Sequence, residues 1–93
     1  EKWFKFNSEN VSNVSEVEGV YQLMDEEKKI IFIAGTPNLR QAIQEQLESK
    51  EKARYFIFEE HQMYTIRESE LIQQFIQQYG KMPEYNQEDL IFE

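Results

Sequence analysis

The side chains able to do chemistry fall in four short stretches. Tyr21 ends Gly19-Val20-Tyr21, Arg40 follows Asn38-Leu39, Glu68 and Glu70 precede Leu71-Ile72, and Asn86 ends Pro83-Glu84-Tyr85-Asn86. A tyrosine hydroxyl assists a proton transfer only within hydrogen-bond reach of the group it serves. One carboxylate, completed by waters and a substrate's phosphates, is an ordinary Mg²⁺ site. A guanidinium stabilises the charge that develops on a transferring phosphoryl group. With no cysteine in the chain, thiolate nucleophiles, disulfides and cysteine-based metal sites are excluded. His61, the one histidine, reads as a surface residue in a loop after Glu59-Glu60.

The elements that must position these groups are legible in the hydrophobic pattern. Val20 to Met24 reads as a strand, Ile30 to Ala34 as a more buried one, and the charged Asp25–Lys29 between them as a hairpin connection. Gly35-Thr36-Pro37-Asn38 punctuates the chain. Asn38 is an N-cap with Gln41 completing a capping-box pattern, and Leu39, Ala42, Ile43, Gln46 and Leu47 have helical spacing within a helix from Asn38 to Ser49. Ala53 to Glu59 alternates as a third strand, with Tyr55 and Ile57 on one face and Phe56 and Phe58 on the other. A last helix from Ile66 to Tyr79 carries an apolar stripe of Leu71, Ile72, Phe75, Ile76 and Tyr79, with Gly80 at C′ and Pro83 blocking continuation. Trp3 to Phe6, within an N-terminal segment of residues 1–18, reads as either a flap or an edge strand. The acidic tail of residues 87–93 offers Leu90, Ile91 and Phe92 as docking residues. The order β-β-α-β-α makes an α+β domain, one unit over residues 1–93.

Gly19-Val20-Tyr21, Phe32-Ile33-Ala34, Asn38-Leu39, Glu68-x-x-Leu71-Ile72 and Pro83-x-Tyr85-Asn86, in that order, resemble the GIY-YIG nuclease superfamily over Gly19 to Asn86. The resemblance implies a small three-stranded antiparallel sheet with flanking helices. It implies that Tyr21 faces a scissile phosphate and helps activate water, that Glu68 (or the neighbouring Glu70) holds Mg²⁺, and that Asn86 braces the site by hydrogen bonding. Three positions depart from the family. The second tyrosine falls on Phe32, which keeps the ring and loses the hydroxyl, and the glycine that follows falls on Ala34. The catalytic arginine falls on Ala42. Arg40 is the displaced candidate cation, two positions earlier and about 200° round the helix. Losing such a cationic clamp commonly costs orders of magnitude in rate.

Charge points the same way. Eighteen acidic residues against ten basic ones leave a net charge of −8, which repels a polyanion, so nucleic acid is a disfavoured partner. Lys50, Lys52 and Arg54 are the local basic cluster, read as complementing a helix C-terminus, and Gln73, Gln74, Gln77 and Gln78 offer a low-charge polar face. The expectation is a cytoplasmic domain with no membrane span and no signal peptide, which keeps the nuclease fold, has an eroded site and serves a protein partner. The alternatives are a weak or specialised Mg²⁺-dependent DNA endonuclease using Tyr21, Glu68 and Asn86, and an unrelated small acidic α+β binding domain.

Overall fold

The computed structural model describes residues 3–88. In chain order these form β1 (Phe4–Lys5), α1 (Ser8–Val11), β2 (Gly19–Met24), β3 (Ile30–Thr36), α2 (Leu39–Gln46), β4 (Tyr55–Glu60), α3 (Tyr64–Tyr79) and α4 (Glu84–Glu88). The sheet is antiparallel throughout and ordered β1-β4-β2-β3, so four strands stand where three were expected. The added strand is the N-terminal segment, which pairs Phe4 with Phe56 and Lys5 with Tyr55. It is an exposed edge strand, and the segment around it contributes to the core. Phe4 lies against Phe56 and Phe58, Phe6 meets Phe56, and Val11 and Val14 are fully enclosed. The polar composition of Asn7 to Ser15 hides this turn of helix, which Asn7 caps by accepting from the Asn10 amide at 2.8 Å.

Strand β2 occupies the middle of the sheet, and both its faces are covered. On one side Tyr21, Leu23, Ile31, Phe32 and Phe56 pack with Val11, Val14, Leu39 and Ile43 from α1, α2 and the segment between α1 and β2. On the other, Val20 and Ile33 pack with Phe75, Leu71, Ile72 and Tyr64 of α3. Consecutive residues Ile31 and Phe32 share one layer because the β2–β3 register slips there: Leu23 faces Phe32, whereas Met24 faces Ile30. The extra residue is a bulge that turns two neighbours to the same face. The hairpin connection is held by Asp25, whose carboxylate accepts from the Glu27 and Lys29 amides, with Lys28 at φ 64°. That turn sets the Lys28 ammonium 4.2 Å from the centre of the Trp3 ring and 4.5 Å from that of Tyr55.

Several boundaries differ from the sequence reading. Gly35 and Thr36 continue β3, so Pro37 starts the connection to α2. Asn38 caps α2 by accepting from the Gln41 amide at 3.1 Å, but the capping box stays half-made. Thr36 Oγ1 takes the Asn38 amide, and the Gln41 side chain turns to Glu45. Helix α2 ends at Gln46, short of Ser49. Helix α3 ends on Gly80 at φ 82°, as expected of C′. Pro83 does not end the structured chain, since α4 follows it and takes in Gln87 and Glu88 of the expected tail. The docking residues Leu90, Ile91 and Phe92 lie outside the described residues.

Close approach, not turn geometry, explains two of the three glycines. A Cβ on Gly35 would lie 2.8 Å from the Tyr64 carbonyl oxygen, where α3 crosses β3. A Cβ on Gly19 would lie 2.3 Å from the Glu59 carbonyl oxygen and 2.7 Å from Leu39 Cδ1. Gly19→Ala is expected to lower unfolding stability by about 3 kcal/mol, as overpacking against backbone does. Urea denaturation of the two proteins checks this, and an unchanged midpoint contradicts it.

Candidate functional site

Tyr21 projects from the central strand into the layer beneath α2 and is only 2% exposed. Its ring lies 6.0 Å from that of Phe32, and its hydroxyl accepts a hydrogen bond from Gln46 Nε2 at 3.1 Å. Burial raises its pKa to about 12; the Gln46 bond lowers it, and the charges of Glu45 and Glu68 raise it further. The phenol therefore holds its proton throughout the physiological range. Phe32, Ala34 and Ala42 pack in the same apolar layer, so the positions at which the resemblance expects a tyrosine, a glycine and an arginine are filled with hydrocarbon.

Glu68 sits on the second turn of α3, half-buried, with its Oε1 3.3 Å from where a Gly35 Cβ would be. There its charge is close enough to act on Tyr21. Among the described residues no three His, Cys, Asp or Glu side chains converge on a metal-holding position. A Mg²⁺ at Glu68 would draw its remaining oxygens from water and a substrate's phosphates. The neighbouring phenol adds no anionic oxygen while it keeps its proton.

Arg40 is not gathered with these residues. Its Nε donates to the Val14 carbonyl at 2.8 Å, and its Nη1 pairs with Glu16 at 3.0 Å, tying α2 to the segment before β2. The other guanidiniums are engaged as well. Arg67 bridges Glu59 at 2.8 Å and Glu70 at 3.1 Å, and Arg54 Nη1 holds the Glu51 and Ala53 carbonyls. Glu70, the alternative metal ligand, thus belongs to an ion pair. The cation closest to the Tyr21 layer is Lys50, whose ammonium lies 4.9 Å from the Phe32 ring centre and 5.4 Å from that of Tyr85. Lys50 and Gln46 fall on and just beyond the α2 C-terminus, and no motif in the chain marks either as a neighbour of Tyr21. Lys52 binds Glu84 at 2.6 Å. The basic cluster docks α4 instead of neutralising a helix end. His61 Nδ1 accepts from the Met63 amide at 3.1 Å, ordering the entry to α3.

Asn86 is 5% exposed and gives both ends of its amide to one residue. Its Oδ1 accepts from the Ile33 N–H at 2.9 Å, and its Nδ2 donates to the Ile33 carbonyl at 2.9 Å. Ile33 is opposite Gln22 on β2, and these two groups point away from that strand. The side chain therefore imitates one residue of a fifth strand and closes the open edge of β3.

A family model described as a domain of unknown function (DUF7508) matches residues 1–78. The chain belongs to the DUF7508 family. A comparison with curated proteins finds no match. In this DUF7508 domain Tyr21 and Glu68 lie inside the matched residues, whereas Asn86 and its contacts to Ile33 involve a segment beyond them. In the DUF7508 domain as described, no helix is long and apolar enough to cross a membrane.

Two outcomes follow from this geometry. Asn86→Ala leaves a buried N–H and C=O unpaired and is expected to cost about 3 kcal/mol, with faster hydrogen exchange at the Ile33 amide; an unchanged exchange rate contradicts the edge-closing role. Tyr21 keeps its proton in the folded state up to about pH 12 but loses it near 10.0 when unfolded. Stability is therefore intact below pH 10 and falls between pH 10 and 12, by up to about 3 kcal/mol. Tyr21→Phe is expected to flatten that fall in urea titrations run at each pH.

Proposed function

We propose that this domain is a GIY-YIG endonuclease frame with an eroded active site, acting as a non-catalytic interaction or structural module for a protein partner. The observation that carries this reading is the enclosure of Tyr21. A hydroxyl that is 2% exposed, bonded to Gln46 and protonated to about pH 12 is neither accessible to a phosphodiester nor poised to take a proton from water. The β2–β3 hairpin beside α2 supports the family frame over an unrelated α+β fold. The packing of Phe32, Ala34 and Ala42 supports loss of the chemistry. Net charge −8 disfavours a nucleic-acid substrate and leaves protein as the partner class. The outer side of α3 suits such a partner, because residues 71–80 carry no charge and Gln73, Gln74, Gln77, Gln78 and Tyr79 are exposed.

One observation favours a second reading, a weak or specialised Mg²⁺-dependent DNA endonuclease. The charge of Glu68 acts on Tyr21, and the Lys50 ammonium lies over the Phe32 ring in the same layer as Tyr21. Against it, Asn86 spends both amide groups on Ile33. A cleavage assay on mixed DNA substrates with Mg²⁺ or Mn²⁺, comparing wild type and Glu68→Ala prepared in parallel, separates the two. The expected result is equal background in both. Metal-dependent cutting by the wild type that disappears in the variant overturns the non-catalytic reading.

A further inference from the structure

A groove of about 360 Å³ opens where the start of β3 meets the end of α3 and the α4 segment. Its apolar surface comes from Ile30, Phe75, Tyr79 and Met82, with the Phe75 and Tyr79 rings 4.5 Å apart. Tyr79 is 56% exposed and presents its ring to solvent, backed by Phe75, which belongs to the core. The volume falls within the range of about 300–1,000 Å³ usual for small-molecule sites.

The charges around the groove are unusual for so acidic a chain. Among the described residues Lys28 and Lys50 lie over aromatic rings, Arg40, Lys52 and Arg67 pair with carboxylates, and Arg54 holds carbonyls. Of the cations that remain (Lys5, Lys29 and Lys81), two border this one groove. Glu84 also borders it, but its carboxylate is neutralised by Lys52 at 2.6 Å. Gln87 donates through Nε2 to the Met82 carbonyl at 2.8 Å and so steadies the wall that Met82 forms.

We propose that this groove binds a small amphiphilic carboxylate, an anion with an aromatic or branched apolar body. The body stacks on Tyr79, touches the edge of Phe75 and covers Ile30 and Met82, while the acidic head sits between the Lys29 and Lys81 ammonium groups. A neutral apolar molecule would gain nothing from the two cations, and a bare anion would be repelled by the net charge of −8 without gaining apolar contact. The site uses neither Tyr21 nor Glu68, so it stands whether or not the nuclease chemistry survives.

The test uses the isotope-labelled 93-residue chain, titrated by amide NMR with phenylbutyrate and with phenylbutanol, which has the same body without the charge. Phenylbutyrate is expected to shift the amides of Ile30, Phe75, Tyr79 and Met82 saturably and to bind about fivefold more tightly than the alcohol, as two partly solvated ion pairs allow. In the Lys29→Gln, Lys81→Gln double variant the carboxylate's advantage is expected to vanish while alcohol binding is unchanged. Both lysines are on the surface, and the variant's own spectrum reports whether the fold is kept. No saturable shift at these amides overturns the proposal. So does equal binding of the two ligands, or a carboxylate preference that survives loss of both lysines.

Discussion

Strand β2 has a strand on each edge and an apolar layer on each face, and the rest of the domain is arranged around that enclosure. A strand so placed has no solvated side for polar groups to use. Val20 must find α3, Tyr21 and Leu23 must find α1 and α2, and Gly19 must do without a side chain because a carbonyl and a leucine already occupy the space. For a domain this small, covering both faces of a sheet draws apolar residues from every part of the described chain, including two valines from a stretch rich in serine and asparagine. The same enclosure removes the Tyr21 hydroxyl from water and holds its proton in place.

The edges of the sheet are managed by different means. At β1 the exposed rings of Trp3 and Phe4 lie against Tyr55, Phe56 and Phe58, and Lys28 covers Trp3 from the hairpin. At β3 a single amide side chain does what a further strand would do, and α4 brings it there. Helix α4 is only five residues long and could not hold itself in place through its own hydrogen bonds. Its position depends on Asn86, buried Pro83 and the Lys52–Glu84 pair. The ion pair is largely exposed and contributes little alone. The buried amide is the stronger anchor, because both partners would otherwise be desolvated without compensation.

These arrangements bear directly on function. Cations that might have faced a phosphate are used to tie segments together: Arg40 to the segment before β2, Arg67 to β4 and to its own helix, Lys50 and Lys52 to α4. The side chains that carry the family resemblance put their functional atoms into structural contacts: the Tyr21 hydroxyl on Gln46, the Arg40 guanidinium on Val14 and Glu16, and the Asn86 amide on Ile33.

Much of this domain was legible in the chain itself. The β2–β3 hairpin, the Asn38 cap, the two long helices, the α3 stop at Gly80 and the faces of β4 follow from local periodicity and capping chemistry, which act over a few residues and leave a local trace. The sequence left the N-terminal stretch open between flap and edge strand, and the bulge at Ile31, the burial of Val11 and Val14 and the helix after Pro83 left no local trace. These depend on partners distant in the chain, such as Phe56 for Phe4 or Lys52 for Glu84. The site divides the same way. The sequence by itself determined which groups are present, so the loss of a hydroxyl at Phe32 and of a guanidinium at Ala42 could be read directly. Only the tertiary structure decided what the remaining groups do, because accessibility, proton affinity and hydrogen-bond partners are properties of packing. It sealed Tyr21 beneath α2, turned Arg40 away to Glu16, and set Asn86 on the backbone of Ile33.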